Sequence, residues 1–248
     1  VTALRLRGIT LRYGAGAPAL ADVDLEVAPG ERVGLVGPSG AGKSSLLRLC
    51  AGMLAPQSGM LEVLGADPAG LRPRARRALR SRIGTVHQHL DLVGPLRVVH
   101  NVNAGRLGRW GSARGLVSLL RPLDVAAVDA ALAQVGLDGM RDRRTDRLSG
   151  GEQQRVALAR VLVQDPDLVL ADEPVSSLDP VRAEAVLSLL TGVVAGRSRT
   201  LLVSLHDIDL AVRRCERLVG LRAGRIVFDL PASEVGAAER AALYRAGP

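Results

Sequence analysis

The chain has 248 residues, 47% of them hydrophobic but only 2% aromatic, with 33 Lys and Arg against 25 Asp and Glu for a net charge of +8. That length suits one large α/β domain, or a core domain carrying an inserted subdomain, built around an aliphatic core of Leu, Val and Ala. The scarcity of aromatic rings removes the stacking platform that a single-strand nucleic-acid binder needs; the arginines read as dispersed, so charge alone assigns no partner. No apolar run approaches the roughly 18 residues that span a bilayer. The first ten residues alternate like a strand and lack the unbroken apolar stretch of a signal peptide, so the expectation is a soluble, cytosolic protein. Cys50 and Cys215 stand apart from each other and from any histidine pair, and read as small buried hydrophobes.

In chain order, residues 3–12 and 20–27 alternate apolar and polar side chains as half-buried strands do. Pro29-Gly30 is a turn leading into a short apolar strand over 32–36, and residues 44–50 open an amphipathic helix. Tyr13 falls in the loop after the first strand, where it either anchors the loop or offers a ring for stacking on a nucleotide base. A strand is expected over 59–64, a basic helix with a solvated face over 72–82, and a short strand over 83–87 with Gln88 at its end. From about 97 to 164 the pattern is mainly helical, including 125–135 closed by Gly136. Residues 105–122, rich in Gly and Arg and holding Trp110, read as an insertion with an exposed tip. The last third alternates strand (168–171), helix (181–194), strand (200–205), helix (208–214) and strand (217–221), ending in a hairpin around 222–224. Such alternation implies a mainly parallel sheet covered by helices.

Three stretches carry chemistry. Gly37-Pro38-Ser39-Gly40-Ala41-Gly42-Lys43-Ser44-Ser45 is G-x-x-x-x-G-K-S between a strand and a helix, where successive backbone N–H groups and the helix dipole can cradle a phosphate. Lys43 supplies a point charge to the β- and γ-phosphates of a nucleoside triphosphate, and Ser44 a hydroxyl for Mg²⁺. Lys43 is also the only lysine of the chain, at a place where a compact ammonium is wanted. The apolar strand over 168–171 runs into Asp172 and Glu173, and a buried parallel strand delivers such residues to the ligand crevice. Asp172 there holds Mg²⁺ or its water, while Glu173 orients and deprotonates the water that attacks the γ-phosphate. Both reach one site only if the chain turns, because neighbouring strand residues point to opposite faces. In Leu148-Ser149-Gly150-Gly151-Glu152-Gln153, Ser149 and Glu152 form a capping box. The two glycines cost helix stability but leave the helix N-terminus open to a second phosphate group.

These stretches, together with Gln88, Ser177-Leu178-Asp179 and His206, occur in the order and spacing of ATP-binding cassette ATPases, which the chain resembles along essentially its whole length. The resemblance implies a P-loop core with an antiparallel β subdomain at its N-terminus (about 1–88 and 165–248) and an inserted helical subdomain (about 89–164). It implies a head-to-tail dimer in which each ATP lies between one copy's phosphate loop and Ser149, Gly150, Gly151 and Glu152 of the second copy. By the same resemblance Tyr13 stacks on the base, and Gln88 is a Mg²⁺ ligand that links the γ-phosphate site to a transmembrane permease. Asp179 lies in a loop crossing the dimer interface, and His206 touches the γ-phosphate. His87-Gln88-His89 departs from the family, which usually has an aromatic before the glutamine. Residues 91–109 and the inserted 110–122 are similar to the ATPase subunits of phosphonate importers. This implies ATP-driven import of phosphonate or a related phosphorus oxyanion at the cytoplasmic face of the membrane, with a substrate-binding protein as an indirect partner and no nucleic acid. The rivals are a cassette for another cargo (a methionine or amino-acid importer, or a lipoprotein-release exporter) and a soluble cassette of DNA repair or translation.

Overall fold

The computed structural model describes residues 2–87, 90–176, 178–195 and 199–244, apart from the side chains of Ser112 and Val193. The alternating N-terminal segments form β1 (Leu4–Arg12) and β2 (Pro18–Val27). Leu4, Leu6, Ile9 and Leu11 of β1 are buried, and the alternation slips between Leu6 and Ile9 where a register shift takes up one residue. The chain continues through β3 (Arg32–Val36), α1 (Lys43–Cys50), β4 (Ser58–Val63), α2 (Pro73–Ser81) and β5 (Ile83–Val86). Helices follow: α3 (Val98–Asn103), α4 (Ser112–Leu120), α5 (Val125–Gln134) and α6 (Gly150–Gln164). The remainder is β6 (Leu168–Asp172), α7 (Pro180–Ala195), β7 (Thr200–Leu205), α8 (Ile208–Arg214), β8 (Arg217–Arg222), β9 (Arg225–Pro231) and α9 (Ala237–Tyr244).

Among the described residues the strands form two sheets. One is antiparallel in the order β2-β1-β4; the other runs β5-β6-β7-β3-β8-β9, parallel except for β9. The parallel strands are mainly apolar in their interiors because both faces are covered. Leu168 and Leu170 face a cluster shared with β1, β2 and α1, whereas Val169 and Ala171 face a cluster shared with α3, α5, α6 and α7. Register places the site. Val36 pairs with Leu205, and Asp172 with Ser204, so the residues following β3, β6 and β7 emerge side by side at one sheet edge.

The polar anchors of the helical region follow from burial. Asn101, only 3% exposed, bonds both backbone groups of Val93 (2.8 and 3.0 Å) and the Thr145 hydroxyl (2.9 Å), satisfying a side chain that would otherwise be costly inside. The exposed part of the inserted segment is α4, with Leu120 87% exposed, while the Trp110 ring ahead of it is buried, with the Arg114 guanidinium 5.1 Å from its centre. The hairpin at 222–224 forms between β8 and β9, and α9 completes the chain where no helix was expected.

Both cysteines are buried, and burial pushes each thiol up to about 12. At pH 8 only about one molecule in 10⁴ then carries a thiolate at either position. A disulfide-exchange reagent is expected to leave the native protein unlabelled and to label two thiols per chain after unfolding; rapid labelling of the native protein would contradict this packing.

Candidate nucleotide site

The loop from Gly37 to Gly42 joins β3 to α1, and its path is set by close backbone approaches. A Cβ on Gly37 (φ +153°) would lie 2.1 Å from the Leu221 carbonyl oxygen, and one on Gly42 (φ +106°) 2.5 Å from that of Ala19. No L side chain fits either position without moving β8 or β2. Lys43 curls back over this loop, its Nζ donating to the carbonyls of Gly37 (2.8 Å) and Pro38 (3.1 Å) and lying 3.8 Å from Glu173 Oε1. Burial lowers the pKa of this ammonium, while Glu173 and Asp172 act against the shift. Lys43 thus sits as a desolvated charge, primed for an anionic partner. Ser39, Gly40, Ala41 and Ser45 complete the turn, and the exposed Tyr13 reaches it by donating its hydroxyl to Ser45 Oγ at 3.3 Å.

Asp172 ends β6 and faces the start of α1. Its Oδ1 accepts from Ser44 Oγ (3.0 Å) and from Ser204 Oγ (2.8 Å). The turn needed to bring Glu173 to the same place occurs at Glu173 itself, which adopts φ +47°. For a residue with a Cβ that conformation costs about 1–3 kcal/mol, and the Glu173 N–H is held there by Ser204 Oγ at 2.8 Å. The carboxylate meets His206, from the end of β7, with Nε2 2.6 Å from Glu173 Oε1. Lys43, Ser44, Asp172, Glu173 and His206 therefore form one cluster. A hydroxyl and a carboxylate oxygen facing each other suit Mg²⁺, which is commonly held by one or two protein oxygens plus substrate phosphates. The described residues contain no cluster of three or more His, Cys, Asp or Glu able to cage a metal.

Ser149 caps α6: its hydroxyl accepts from the Glu152 N–H (3.3 Å), and Glu152 Oε2 accepts from the Ser149 N–H (2.7 Å) and hydroxyl (2.7 Å). These bonds lower the Glu152 pKa, the Ser149 hydroxyl first. A Cβ on Gly150 or Gly151 would meet nothing within 4 Å, so this helix end is open. Ser149, Gly150 and Gly151 line a cleft of about 590 Å³ bordered by Glu173 and Pro174, to which residues 37–45 contribute no lining. No hydrogen bond or ion pair among the described residues joins Ser149–Glu152 to the Gly37–Ser45 loop. Asp179 caps α7 by accepting from the Arg182 N–H at 3.1 Å and also pairs with its guanidinium. Gln88, His89 and Ser177 lie outside the described residues.

Three positioning residues escaped the sequence reading. Ser204 is fully buried, and its signal was a hydroxyl next to the end of a strand whose four preceding residues are apolar but for the opening Thr200. Gln154 donates from α6 to the Pro174 carbonyl, and Arg160 donates to the carbonyls of Leu90 (2.9 Å) and Asp91 (2.8 Å). Polar residues on a helix give no sequence signal for such distant partners.

The chain belongs to the ABC transporter family, whose profile matches residues 20–176. It is the ATP-hydrolysing cassette of that family, an α/β P-loop fold. It is 52% identical over 241 residues to a phosphonates import ATP-binding protein, PhnC 1, of Pseudomonas aeruginosa, covering 97% of this chain and 90% of that one. A PhnC of Pseudomonas putida is 48% identical over 98% of this chain and 90% of its own length. Among solved structures, cbiO1 of Clostridium perfringens, part of the cbiONQ transporter complex, superposes with TM-score 0.82 at 27% identity, covering 96% of this chain and 92% of that one. The cassette MJ0796, solved as a dimer in a post-hydrolysis state bound to ADP and Pi, superposes with TM-score 0.77 at 28% identity over 92% of this chain and 98% of its own.

Ser204→Ala removes the hydroxyl that bonds both Asp172 and the Glu173 N–H. Leaving the Glu173 N–H without its partner and Asp172 Oδ1 with Ser44 alone is expected to cost about 1–3 kcal/mol of stability and to lower the ATP turnover rate about tenfold with little change in ATP affinity. Thermal unfolding and steady-state ATPase rates check this; a native rate and melting temperature would contradict it.

Proposed function

We propose that this chain is the ATPase subunit of an importer for phosphonate or a related phosphorus oxyanion, acting as a head-to-tail dimer beneath a membrane permease. The observation that carries the cargo assignment is the 52% identity to a phosphonates import ATP-binding protein, sustained over 97% of this chain. In keeping with a peripheral subunit, no described helix is long and apolar enough to cross a membrane. The position is the cytoplasmic face, with a substrate-binding protein delivering cargo to the permease.

Catalysis in this reading is positioning and electrostatics. Lys43 and the backbone N–H groups of residues 37–45 hold the β- and γ-phosphates. Tyr13 stacks on the base, which agrees with a half-exposed ring tethered to the loop's helix. Ser44, Asp172 and Gln88 would hold Mg²⁺, which supplies charge neutralisation at the phosphate oxygens when bound. Glu173 takes the proton of the attacking water at its Oε atoms, and His206, whose Nε2 lies 2.6 Å from Glu173 Oε1, orients that carboxylate and contacts the γ-phosphate. Ser149, Gly150 and Gly151 of the second copy close the site from the other side, with Glu152 fixing the cap and Asp179 crossing the interface. The open glycines of α6, unattached to the phosphate loop of their own chain, support this division of labour. We further assign residues 1–88 and 165–248 to the nucleotide-binding core and 89–164 to the helical subdomain.

Glu173→Gln is expected to bind ATP with near-native affinity, to remain dimeric with ATP, and to lose about 10²–10⁴ in turnover. Turnover near the native rate would remove Glu173 as the base. Lys43→Ala should instead weaken ATP binding itself, read by titration calorimetry; unchanged affinity would contradict its role. For the cargo, the permease that co-purifies with the chain, reconstituted in liposomes, should show ATPase stimulated by phosphonate-loaded binding protein. Stimulation by a methionine-loaded one instead would reassign the cargo.

A further inference from the structure

The positive charge of the chain is not dispersed as it first reads. Eleven arginines and one aspartate fall between Pro68 and Leu123; of these arginines Arg82, Arg97, Arg106 and Arg114 pair with Asp167, Asp142 and Asp124 outside that stretch. The other 192 residues carry 22 Lys and Arg against 24 Asp and Glu. The basic stretch folds into α2, the turn after α3, and α4, and these are physically joined. Arg77 of α2 donates to the carbonyls of Leu107 (2.7 Å), Gly108 (3.2 Å) and Trp110 (2.7 Å), while Arg114 of α4 covers the Trp110 ring. Arg72, Arg74 and Arg121 are exposed, and the described residues offer them no carboxylate partner. Beside them α4 exposes Leu116 (65%), Val117, Leu119 and Leu120 (87%). Such a leucine run left in water costs free energy unless something covers it.

A run of exposed aliphatic side chains on α4, ended by Arg121 and joined to the arginine-rich α2, has the apolar and basic elements of an interfacial membrane-binding surface. We propose that α2 and α4 form a surface that binds an anionic phospholipid bilayer, the arginines meeting headgroup phosphates and the leucines of α4 entering the headgroup–acyl boundary. The surface holds the chain against the membrane independently of any permease. Arginine suits this task because its planar guanidinium can pair bidentately with phosphate.

Co-sedimentation of the full chain with vesicles tests this. Binding is expected to vesicles of mixed phosphatidylcholine and phosphatidylglycerol, to be weak on phosphatidylcholine alone, and to fall with added salt. Each of Arg72→Gln, Arg74→Gln and Arg121→Gln should lower the partition coefficient about fivefold, and Leu120→Ser about tenfold. All four lie outside the nucleotide site and should keep the native melting temperature and basal ATPase rate. Binding that ignores the anionic lipid, or that the four variants leave unchanged, would overturn the proposal. So would absence of vesicle binding, including the case in which the variants abolish permease association in detergent, which would make this a protein interface. Sedimentation is read without ATP or cargo, so its outcome is separate from that of the importer assignment.

Discussion

One carboxylate oxygen ties the nucleotide site together. Asp172 Oδ1 receives hydroxyl protons from Ser44 at the head of α1 and from Ser204 near the end of β7. The same Ser204 oxygen receives the N–H of Glu173. Three separate segments are thereby locked within hydrogen-bond distance of one point, at the edge where β3, β6 and β7 end in register. The bond from the Glu173 N–H to Ser204 helps hold Glu173 in its left-handed backbone, from which its side chain faces Lys43 and His206. The constraint is possible because β6 and β7 are buried on both faces, so their ends have little freedom to shift.

A second constraint is a separation. The phosphate loop is clamped from behind by the backbones of β2 and β8, whereas the open end of α6 is tied forward to the segment after β6 through Gln154 and Pro174. Within one chain these two phosphate-suited ends do not line a common cavity. Each is competent for an anion by the same physics of unpaired N–H groups and helix dipole. In the proposed arrangement a site using both draws them from two copies, and a two-fold dimer supplies such a pairing twice.

Much of this was legible in residue order. The alternation in β1 and β2, the apolar runs of β6 and β7, and the G-x-x-x-x-G-K-S loop each follow from local chemistry, and the capping box at Ser149 formed where its spacing placed it. Asp172 and Glu173 were legible as a pair, but the means by which both reach one site was not. A left-handed Glu173 depends on Ser204, thirty-one residues away, and no local pattern encodes that bond. Arg160 and Gln154 were unreadable for the same reason, since their partners are backbone carbonyls of remote loops. The burial of Trp110 was not legible, because glycine and arginine around it signal exposure, while the guanidinium over its ring comes from Arg114, a turn further on. The clustering of arginine was legible, in a count taken stretch by stretch rather than over the whole chain.

The central claim, that the site of one chain is completed by another, is tested most directly by mixing two inactive variants. Lys43→Ala disables the phosphate loop and Ser149→Arg blocks the open end of α6, and each alone should hydrolyse almost no ATP. A mixed dimer has one site carrying both lesions and one carrying neither, so the equimolar mixture should recover up to about a quarter of native ATPase activity. A mixture as inactive as its components would contradict a site shared between two chains.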